Sequence, residues 1–411
     1  MKLTFSFVTV LITIILLNSY VNAQWVDTGC PFGGYVYAIA VAEPMIFVGT
    51  DQAGVYLSSD SGQNWSQANS GLTITSVSSL AFSGSSLFAA TTYGGIFRSN
   101  DNASNWTEVN SGLSVLFINT LMVSGSNIYA GAKYSVTGGG VFLSTNNGDN
   151  WAYIGLTDQE VYSLAIVGNN LFAGTDNGVF LSTNNGANWT EVNSGLTADD
   201  VYALKGFNNN LYAGTSNGMF YSNDNGSSWT NISSSSLENK SVRSIAMHQV
   251  NIIVGTSGWG VYVSTNNGST WEESDEGLPS SFADIYALTI SATKIYAGTL
   301  FQGAWERLLT DYVTDVNSSL NQLPGSYSLE QNYPNPFNPS TTIEFSIPQE
   351  SFVELIVFDI LGNEVVTLVN DNYSAGNYKT EFIGDDLPSG IYIMRMTAGE
   401  FSDSKKMQLL K

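Results

Sequence analysis

The chain has 411 residues, of which 43% are hydrophobic, and its formal net charge is −22. With 13 basic against 35 acidic residues, it repels polyanions over long range, so the composition excludes nucleic acid as an expected partner. The single cysteine, Cys30, excludes an intrachain disulfide and is predicted to be a buried, unreactive thiol.

The first 23 residues have the pattern of a secretory signal peptide. Lys2 precedes an apolar stretch from Phe7 to Leu17, and Val21, Asn22 and Ala23 form a small-residue cleavage site. No later run is long and apolar enough to span a bilayer. We therefore predict a signal peptide over residues 1–23 and a protein that leaves the cytoplasm.

A short motif follows an apolar strand six times along the chain. It consists of Ser, then Asp or Asn two positions later, usually Gly two positions after that, and Trp three positions further on. The Trp residues follow one another at intervals of 38 to 45 residues, a period typical of a propeller or a solenoid. The polar and Trp positions are Asp60 and Trp65, Asp101 and Trp106, Asn146 and Trp151, Asn184 and Trp189, Asp224 and Trp229, and Asn266 and Trp271.

A seventh copy is present only as two halves at the ends of this array. Trp25 begins a segment like the one that starts at Trp189, and residues 298–307 have the start of a repeat but no Ser-Asp-Gly-Trp turn. Each repeat contains four strand-like runs, so the two halves together make one more four-stranded sheet. We predict an all-β fold over residues 24–310, a seven-bladed β-propeller that an N-terminal strand closes, which leaves no free sheet edge.

The motif has a local role in the turn. Asp or Asn accepts hydrogen bonds from nearby backbone N–H groups, and Gly adopts a positive φ without steric cost. These turns resemble the Asp-box (BNR) repeats of sialidases, family 74 xyloglucanases, sortilin-type receptors and the photosystem II stability/assembly factor. The resemblance implies that the Ser, Asp and Trp residues are structural and that the ligand lies on the opposite face of the propeller.

The composition changes after residue 310. Residues 311–326 are rich in Asp, Asn, Ser and Leu and are predicted to be a linker. In residues 327–411, period-two alternation between Gly and Pro turns predicts a small immunoglobulin-like β-sandwich.

Several motifs occur in order within this last segment. Tyr327 begins Tyr-Ser-Leu-Glu-Gln-Asn-Tyr-Pro-Asn-Pro-Phe-Asn-Pro, Phe358 begins Phe-Asp-Ile-Leu-Gly-Asn-Glu-Val, and Lys405 begins the final Lys-Lys-Met-Gln-Leu-Leu-Lys. Together they resemble the type A C-terminal sorting domain of the type IX secretion system of Gram-negative bacteria. The resemblance implies passage through the periplasm and recognition by an outer-membrane translocon, followed by release or surface attachment. An accessory immunoglobulin-like module is the alternative.

The sequence leaves the enzymatic question open. A sialidase needs three arginines around its substrate, but Arg98 precedes a motif Ser and Arg307 takes the place of one, so neither is expected at a central site. A pair of carboxylates at glycosidase spacing stays possible. We therefore keep two hypotheses, a non-catalytic binding propeller for glycan or protein ligands and a secreted glycoside hydrolase. We expect a monomer without a cofactor. We also expect no bound metal ion, since no twelve-residue calcium loop occurs.

Candidate ligand residues lie in loops on the face opposite the repeated turns. The loops between the second and third strands carry Asp51, Tyr93, Tyr134, Asp176, Trp259 and Phe301. The loops that enter the innermost strands are acidic, with Glu160, Asp200 and Asp284 among them. One innermost-strand position varies between repeats as Tyr37, Ser78, Asn119, Tyr162, Tyr202, Arg243 and Tyr286. Arg243 is predicted to form a salt bridge with an acidic loop or, alternatively, to contact a ligand.

Overall fold

The structure, a computed structural model, describes residues 24–31, 34–135, 138–279, 284–312, 326–349, 351–373, 376–385, 387–399 and 401–410. The predicted signal peptide and most of the predicted linker lie outside these residues. The chain divides into two compact units, one that ends at Val313 and one that begins at Thr314.

The described part of the first unit contains seven four-stranded antiparallel sheets. The N-terminal strand β1 (Val26–Asp27) belongs to the last of them. The first three of the other six sheets are Val36–Ala42, Met45–Thr50, Val55–Ser58 and Ser66–Gln67 (β2–β5); Val77–Ser83, Ser86–Thr91, Gly95–Ser99 and Thr107–Glu108 (β6–β9); and Ile118–Ser124, Asn127–Ser135, Gly138–Ser144 and Ala152–Gly155 (β10–β13).

The next three sheets repeat this order. They are Val161–Val167, Asn170–Thr175, Gly178–Ser182 and Thr190–Glu191 (β14–β17); Val201–Phe207, Asn210–Thr215, Gly218–Ser222 and Thr230–Asn231 (β18–β21); and Val242–His248, Asn251–Thr256, Val261–Ser264 and Glu272–Glu273 (β22–β25). A short helix, Ser234–Leu237 (α1), lies between β21 and β22.

The seventh sheet joins the two ends of the unit. It contains Ile285–Ile290, Lys294–Thr299 and Ala304–Leu308 (β26–β28), followed by a 3₁₀ helix at Leu309–Tyr312. Strand β1 is its fourth strand and pairs antiparallel with β28, with Val26 opposite Glu306 and Asp27 opposite Trp305. The first strands of consecutive sheets contact one another from β2 through β26, and β26 contacts β2.

Burial explains why these segments form strands. In β15, Leu171 to Thr175 are all buried, and β3, β19 and β27 have the same pattern. Strands covered on both faces are apolar throughout rather than alternating. The sheets approach closely where glycine is present, since a Cβ on Gly131 would lie 2.6 Å from Cγ1 of Val161 in the next sheet.

The fourth strand of most sheets is shorter than the sequence predicts, with only two residues in six of the seven. Where the fourth strand ends, an Asn side chain replaces the backbone as the hydrogen-bond partner of the third strand. The Asn193 side-chain oxygen accepts from Val179 N–H at 2.7 Å, and Asn69 and Asn110 do the same for Val55 and Ile96. Because a side-chain amide replaces the backbone carbonyl, the strand ends there.

The second unit has two sheets that share one apolar core. The strands are Ser328–Leu329, Ser340–Ile347, Ser351–Phe358, Glu364–Tyr373, Gly376–Ile383, Gly390–Ala398 and Phe401–Leu409 (β29–β35). One sheet has the order β29-β30-β33 and the other β32-β31-β34-β35. Phe345 and Phe382 of the first sheet pack in one cluster with Leu355 and Met394 of the second. In the described parts of both units, no helix is long and apolar enough to cross a membrane.

Candidate functional site

The repeated Ser-Asp-Gly-Trp turn is a closed hydrogen-bond network. The Ser58 hydroxyl donates to Asp60 Oδ1 at 2.8 Å and accepts from Gly62 N–H at 2.8 Å. Asp60 Oδ1 also accepts from Asn64 N–H at 2.8 Å. The same bonds recur in the other five copies, which begin at Ser99, Ser144, Ser182, Ser222 and Ser264.

The left-handed backbone spans two residues of the turn and does not include the Asp or Asn. The residue after the Asp or Asn has a positive φ, as in Asn147 with φ 57°, and the Gly that follows also has a positive φ. In the second turn Ala103 takes the place of this Gly, and it also adopts a positive φ, 65°. The Asp or Asn therefore stabilises the turn through its side-chain oxygen rather than through its own backbone conformation.

The Trp of each turn ties neighbouring sheets together. Trp151 Nε1 donates to the Val109 carbonyl at 2.8 Å, and the five other motif Trp residues donate to backbone carbonyls 35 to 39 positions earlier. Trp25 makes the corresponding bond to the Ser274 carbonyl at 2.7 Å and is buried. These residues have structural partners, and none of them lines the cavity described below.

Two of the three arginines of the first unit have polar partners outside the inner strands. Arg98 pairs with Asp149 at 2.7 Å. Arg307 is buried, donates to the Ser274 hydroxyl and lies 3.3 Å from a Glu276 carboxylate oxygen. As the sequence predicts, neither lines the central cavity.

A cavity of about 570 Å³ opens where the innermost strands converge. Its wall includes one residue from each of the seven first strands, which we call the inner ring: Tyr37, Ser78, Asn119, Tyr162, Tyr202, Arg243 and Tyr286. Lys133 and Glu160 also line it. The inner ring thus brings one position that differs between the repeats to a single cavity.

Arg243 lies over an aromatic ring rather than against a carboxylate. Its guanidinium carbon is 3.6 Å from the centroid of the Tyr202 ring and 6.0 Å from that of Tyr286. Within the described residues no carboxylate lies within salt-bridge distance of Arg243, and its buried Nε has no hydrogen-bond partner. The predicted salt bridge is therefore absent from this part of the chain, because the nearby carboxylates bind other donors: Tyr202 O–H donates to Asp200 at 3.2 Å and Ser257 O–H to Asp284 at 2.6 Å.

Burial shifts the protonation of the cavity wall. Desolvation raises the pKa of the Glu160 carboxyl, although Lys133 at 3.8 Å and a hydrogen bond from Asn119 oppose this shift. Burial, with a contribution from the Asp51 carboxylate, raises the pKa of Tyr37 to about 12. The tyrosines are therefore neutral hydroxyl groups at ordinary pH.

The predicted loop aromatics are exposed. Tyr93, Tyr134, Trp259 and Phe301 have 63%, 51%, 54% and 51% of their surfaces accessible. Tyr134 lies in strand β11 rather than in a loop, and the Tyr93 ring contacts that of Phe117 at 5.3 Å. Trp259 carries the Lys240 ammonium 4.2 Å from its ring centroid. These four residues do not line the cavity.

Phe301 alone of these aromatics connects to the inner ring. Its ring lies 5.4 Å from that of Tyr35, which contacts both Tyr37 and Tyr286 at the same centroid distance. Sequence reasoning missed Tyr35, although it precedes Tyr37 by two positions and therefore lies on the same side of the chain.

The two predicted acidic candidates lie at the rim. Asp51 accepts a hydrogen bond from the Ser76 hydroxyl at 2.9 Å, and Asp176 accepts from the Glu160 backbone N–H at 2.9 Å. Neither lines the cavity, whereas Glu160, Lys133 and four tyrosines outside the candidate set do. These residues can be found in the sequence from their position relative to the inner-ring position when the repeats are aligned.

Family models match two parts of the chain. Residues 154–244 match the DUF6242 beta propeller domain. Residues 331–409 match the secretion system C-terminal sorting domain. No curated protein matches the chain in sequence. The sorting domain indicates a secreted or cell-surface protein, which confirms the predicted location.

Solved structures show the same fold at low sequence identity. A structure described as YCF48 bound to D1 peptide is 13% identical with a TM-score of 0.57, and the match covers 71% of this chain and 96% of that one. PorZ of Porphyromonas gingivalis, described as an essential surface component of the type-IX secretion system, is 13% identical with a TM-score of 0.52, over 93% of this chain and 60% of PorZ. A GH74 xyloglucanase from Xanthomonas campestris is 13% identical with a TM-score of 0.57, over 93% of this chain and 67% of that one. The first unit therefore resembles β-propellers.

Proposed function

We propose that the protein is an exported, seven-bladed β-propeller that binds a glycan or protein ligand without catalysis on the face opposite the repeated turns. One observation carries this proposal: the inner ring lines one cavity, and its residue varies between repeats, with Ser, Asn and Arg in three of them and Tyr in the other four. The Ser and Trp of the repeated turns, by contrast, are the same in all six complete copies. A residue that only supports the fold is expected to be the same in every repeat. Variation at a position that faces a cavity instead fits a surface adapted to a ligand.

Contacts between the sheets support closure of the seven-bladed ring by β1. Strand β26, the first strand of the seventh sheet, contacts β2 of the first sheet. Strand β1 completes the sheet of β26–β28. Trp25 repeats the cross-sheet hydrogen bond of the six complete turns. We assign these turns to the Asp-box type and the export route to type IX secretion through residues 327–411.

The basic residues favour binding over sialidase chemistry. Arg243 is the one arginine in the cavity wall, while Arg98 and Arg307 are engaged near the turns. Peptide binding by a propeller of similar fold, as the YCF48 structure is described, makes a protein ligand a reasonable alternative to a glycan.

A glycoside hydrolase is the second candidate, and Glu160 is the observation that favours it. Burial raises its pKa, and the neighbouring Asp176 and Asp200 add to this shift. A carboxyl with a raised pKa close to further carboxyl groups is the arrangement that glycosidases use. Glu160 would serve as the acid, and one of the two aspartates as the base or nucleophile.

The test is a binding screen of residues 24–411 on a glycan array and on a peptide library, with hydrolysis products analysed in parallel. We expect binding to at least one array, no hydrolysis, and weaker binding by Trp259→Ala and Tyr134→Ala. Tyr153→Ala is the matched control, because Tyr153 is an equally exposed tyrosine on a fourth strand, away from the predicted face.

Unchanged binding by the first two variants removes the exposed aromatics from the site. Hydrolysis that Glu160→Gln abolishes favours the enzyme instead. Failure to bind either array contradicts the proposed function.

A further inference from the structure

Within the central cavity, donors and acceptors alternate around aromatic walls. Arg243 and Lys133 supply cationic N–H donors, Glu160 supplies a carboxylate, and Asn119 supplies an amide. The Tyr162 and Tyr202 rings are in tilted contact at 5.3 Å and the Arg243 guanidinium lies over the Tyr202 ring, so the three side chains are contiguous along one side of the cavity.

Arg243 is the charged group whose bonding is least complete. Its buried Nε lacks an acceptor within the described residues, and an unsatisfied buried donor on a charged group is costly. The neighbouring Asp200 and Asp284 each accept a hydrogen bond from a hydroxyl group instead. Arg243 therefore packs on the face of the Tyr202 ring. Among the described residues, no carboxylate pairs with its charge.

The charges around the entrance argue against an anionic ligand. Asp51, Asp176, Asp200 and Asp284 lie on the loops and strand starts around the inner ring, and the chain as a whole has a net charge of −22. Among the described residues of the cavity wall, Arg243 and Lys133 are the basic ones, and Lys133 lies beside Glu160. An approaching carboxylate or sulfate is repelled, whereas a neutral molecule with many hydroxyl groups finds both donors and acceptors.

Phe301 extends the aromatic surface beyond the cavity. It adopts φ 58°, where the corresponding residue of the preceding sheet is Gly258 with φ 77°. A left-handed conformation is strained for a bulky residue. Here it exposes the Phe301 ring and sets it against Tyr35, which leads to Tyr37 and Tyr286 of the inner ring.

We propose that this cavity binds the uncharged terminal sugar of a glycan. Arg243 donates hydrogen bonds to its hydroxyl oxygens, Glu160 accepts from a hydroxyl group, and the Tyr286 ring packs against its apolar face. Phe301 and Tyr35 contact the next sugar residue. The volume of about 570 Å³ is within the usual range of small-ligand sites. This inference rests on the proposed binding function and names the ligand class and the residues that select it.

The experiment measures binding of residues 24–411 to immobilised lactose-, cellobiose-, mannobiose- and chitobiose-terminated glycans and to glucuronic-acid-terminated counterparts. We expect binding to at least one neutral glycan and weaker binding to the acidic one of matching linkage. Arg243→Gln is expected to lower affinity by about tenfold or more, because hydrogen bonds from a charged donor are lost. Arg98→Gln, the matched control away from the cavity, is expected to change affinity by less than about twofold.

Each result decides the inference separately from the proposed function. Stronger binding of the acidic glycans, or equal affinity of Arg243→Gln and the unmodified chain, overturns it. Binding of peptides alone overturns it while the proposed binding function stands. If Arg243→Gln fails to fold by circular dichroism, Arg243→Lys takes its place, with a smaller loss expected because lysine keeps the charge but not the planar donor set.

Discussion

At the residue scale, the six repeated turns form a natural mutational series. Asp is present in three of them and Asn in the other three, yet the oxygen at this position makes the same bonds to the serine hydroxyl and to a backbone N–H. In Asn266 the amide N–H donates to Thr270 Oγ1, where Asp224 accepts from the Ser228 hydroxyl. The hydroxyl group reverses its role, so either residue completes the turn.

We predict that Asp224→Asn leaves stability at pH 7 nearly unchanged but alters its acid dependence. Hydrogen bonds from Ser228 and Ser222 lower the pKa of Asp224 to about 2, below its ordinary value of 3.8. The stability from this lowered pKa is present above pH 4 and is lost as the pH falls towards 2, since the unfolded chain binds the proton first. Asn cannot titrate, so the variant is expected to lose less stability than the native chain in this interval.

Urea unfolding at pH 7 and pH 3 measures this difference, with Asp158→Asn, an exposed carboxylate outside the turns, as the control. Equal acid sensitivity of Asp224→Asn and the native chain contradicts the role of this side chain.

At the element scale, the decisive contact is between the N-terminal segment and the seventh sheet. Gly277 has φ 91°, and a Cβ there would lie 2.3 Å from the Trp25 carbonyl oxygen. Gly71 and Gly112 have the same relation to Trp106 and Trp151. The split repeat therefore uses the same close approach as the complete ones.

We predict that Gly277→Ala destabilises the protein more than Gly168→Ala. Both glycines have positive φ, which costs about 1–2 kcal/mol for alanine. Gly168 has no atom near the added methyl, whereas Gly277 meets backbone, and such overpacking costs about 1–3 kcal/mol more. Chemical denaturation of both variants gives the comparison, and equal losses contradict docking of Trp25 at this sheet.

The sequence predicts much of this element-level structure and less of the site. The first three strands of each repeat follow from apolar runs between Gly-rich turns, because burial on both faces demands them. The short fourth strands do not, since a tertiary hydrogen bond such as that from Val179 to Asn193 decides where pairing stops. Arg243 shows the same limit: its charge suggests a carboxylate partner, but in the structure its guanidinium lies over the Tyr202 ring, and Asp200 accepts from the Tyr202 hydroxyl.

At the scale of the whole molecule, one unit carries the cavity and the other carries the export address. The first unit has its own sheets and apolar clusters, and the second has a separate core of 16 buried residues between two sheets. Sequence alone indicates this division through the change of motif after residue 310. The sequence identifies the sorting domain more clearly than the ligand. Sorting is encoded in local motifs, whereas binding depends on side chains that are distant in sequence.

We predict that deletion of residues 327–411 leaves the protein in the periplasm. The remaining unit keeps its fold but lacks the segment that matches a sorting domain. Fractionation of cells that express the truncated or complete chain, with Tyr93→Ala in the complete chain as a control for exposed aromatic residues, measures the outcome. Delivery of the truncated chain to the cell surface contradicts the assigned role of this segment.

The pairing of β1 with β28 also sets the order of assembly. The bond from Trp25 to Ser274 joins residues 249 positions apart, and β1 pairs with β28. The first strand of the unit to be synthesised therefore cannot pair until nearly the last strand has been made. Loop closure of this length adds little to the thermodynamic cost, but contacts so distant in sequence slow folding. A chain that ends before β28 can form six complete sheets but leaves β1 without a pairing partner. The pairing of β1 with β28 is therefore the feature that distinguishes a complete molecule from an incomplete one.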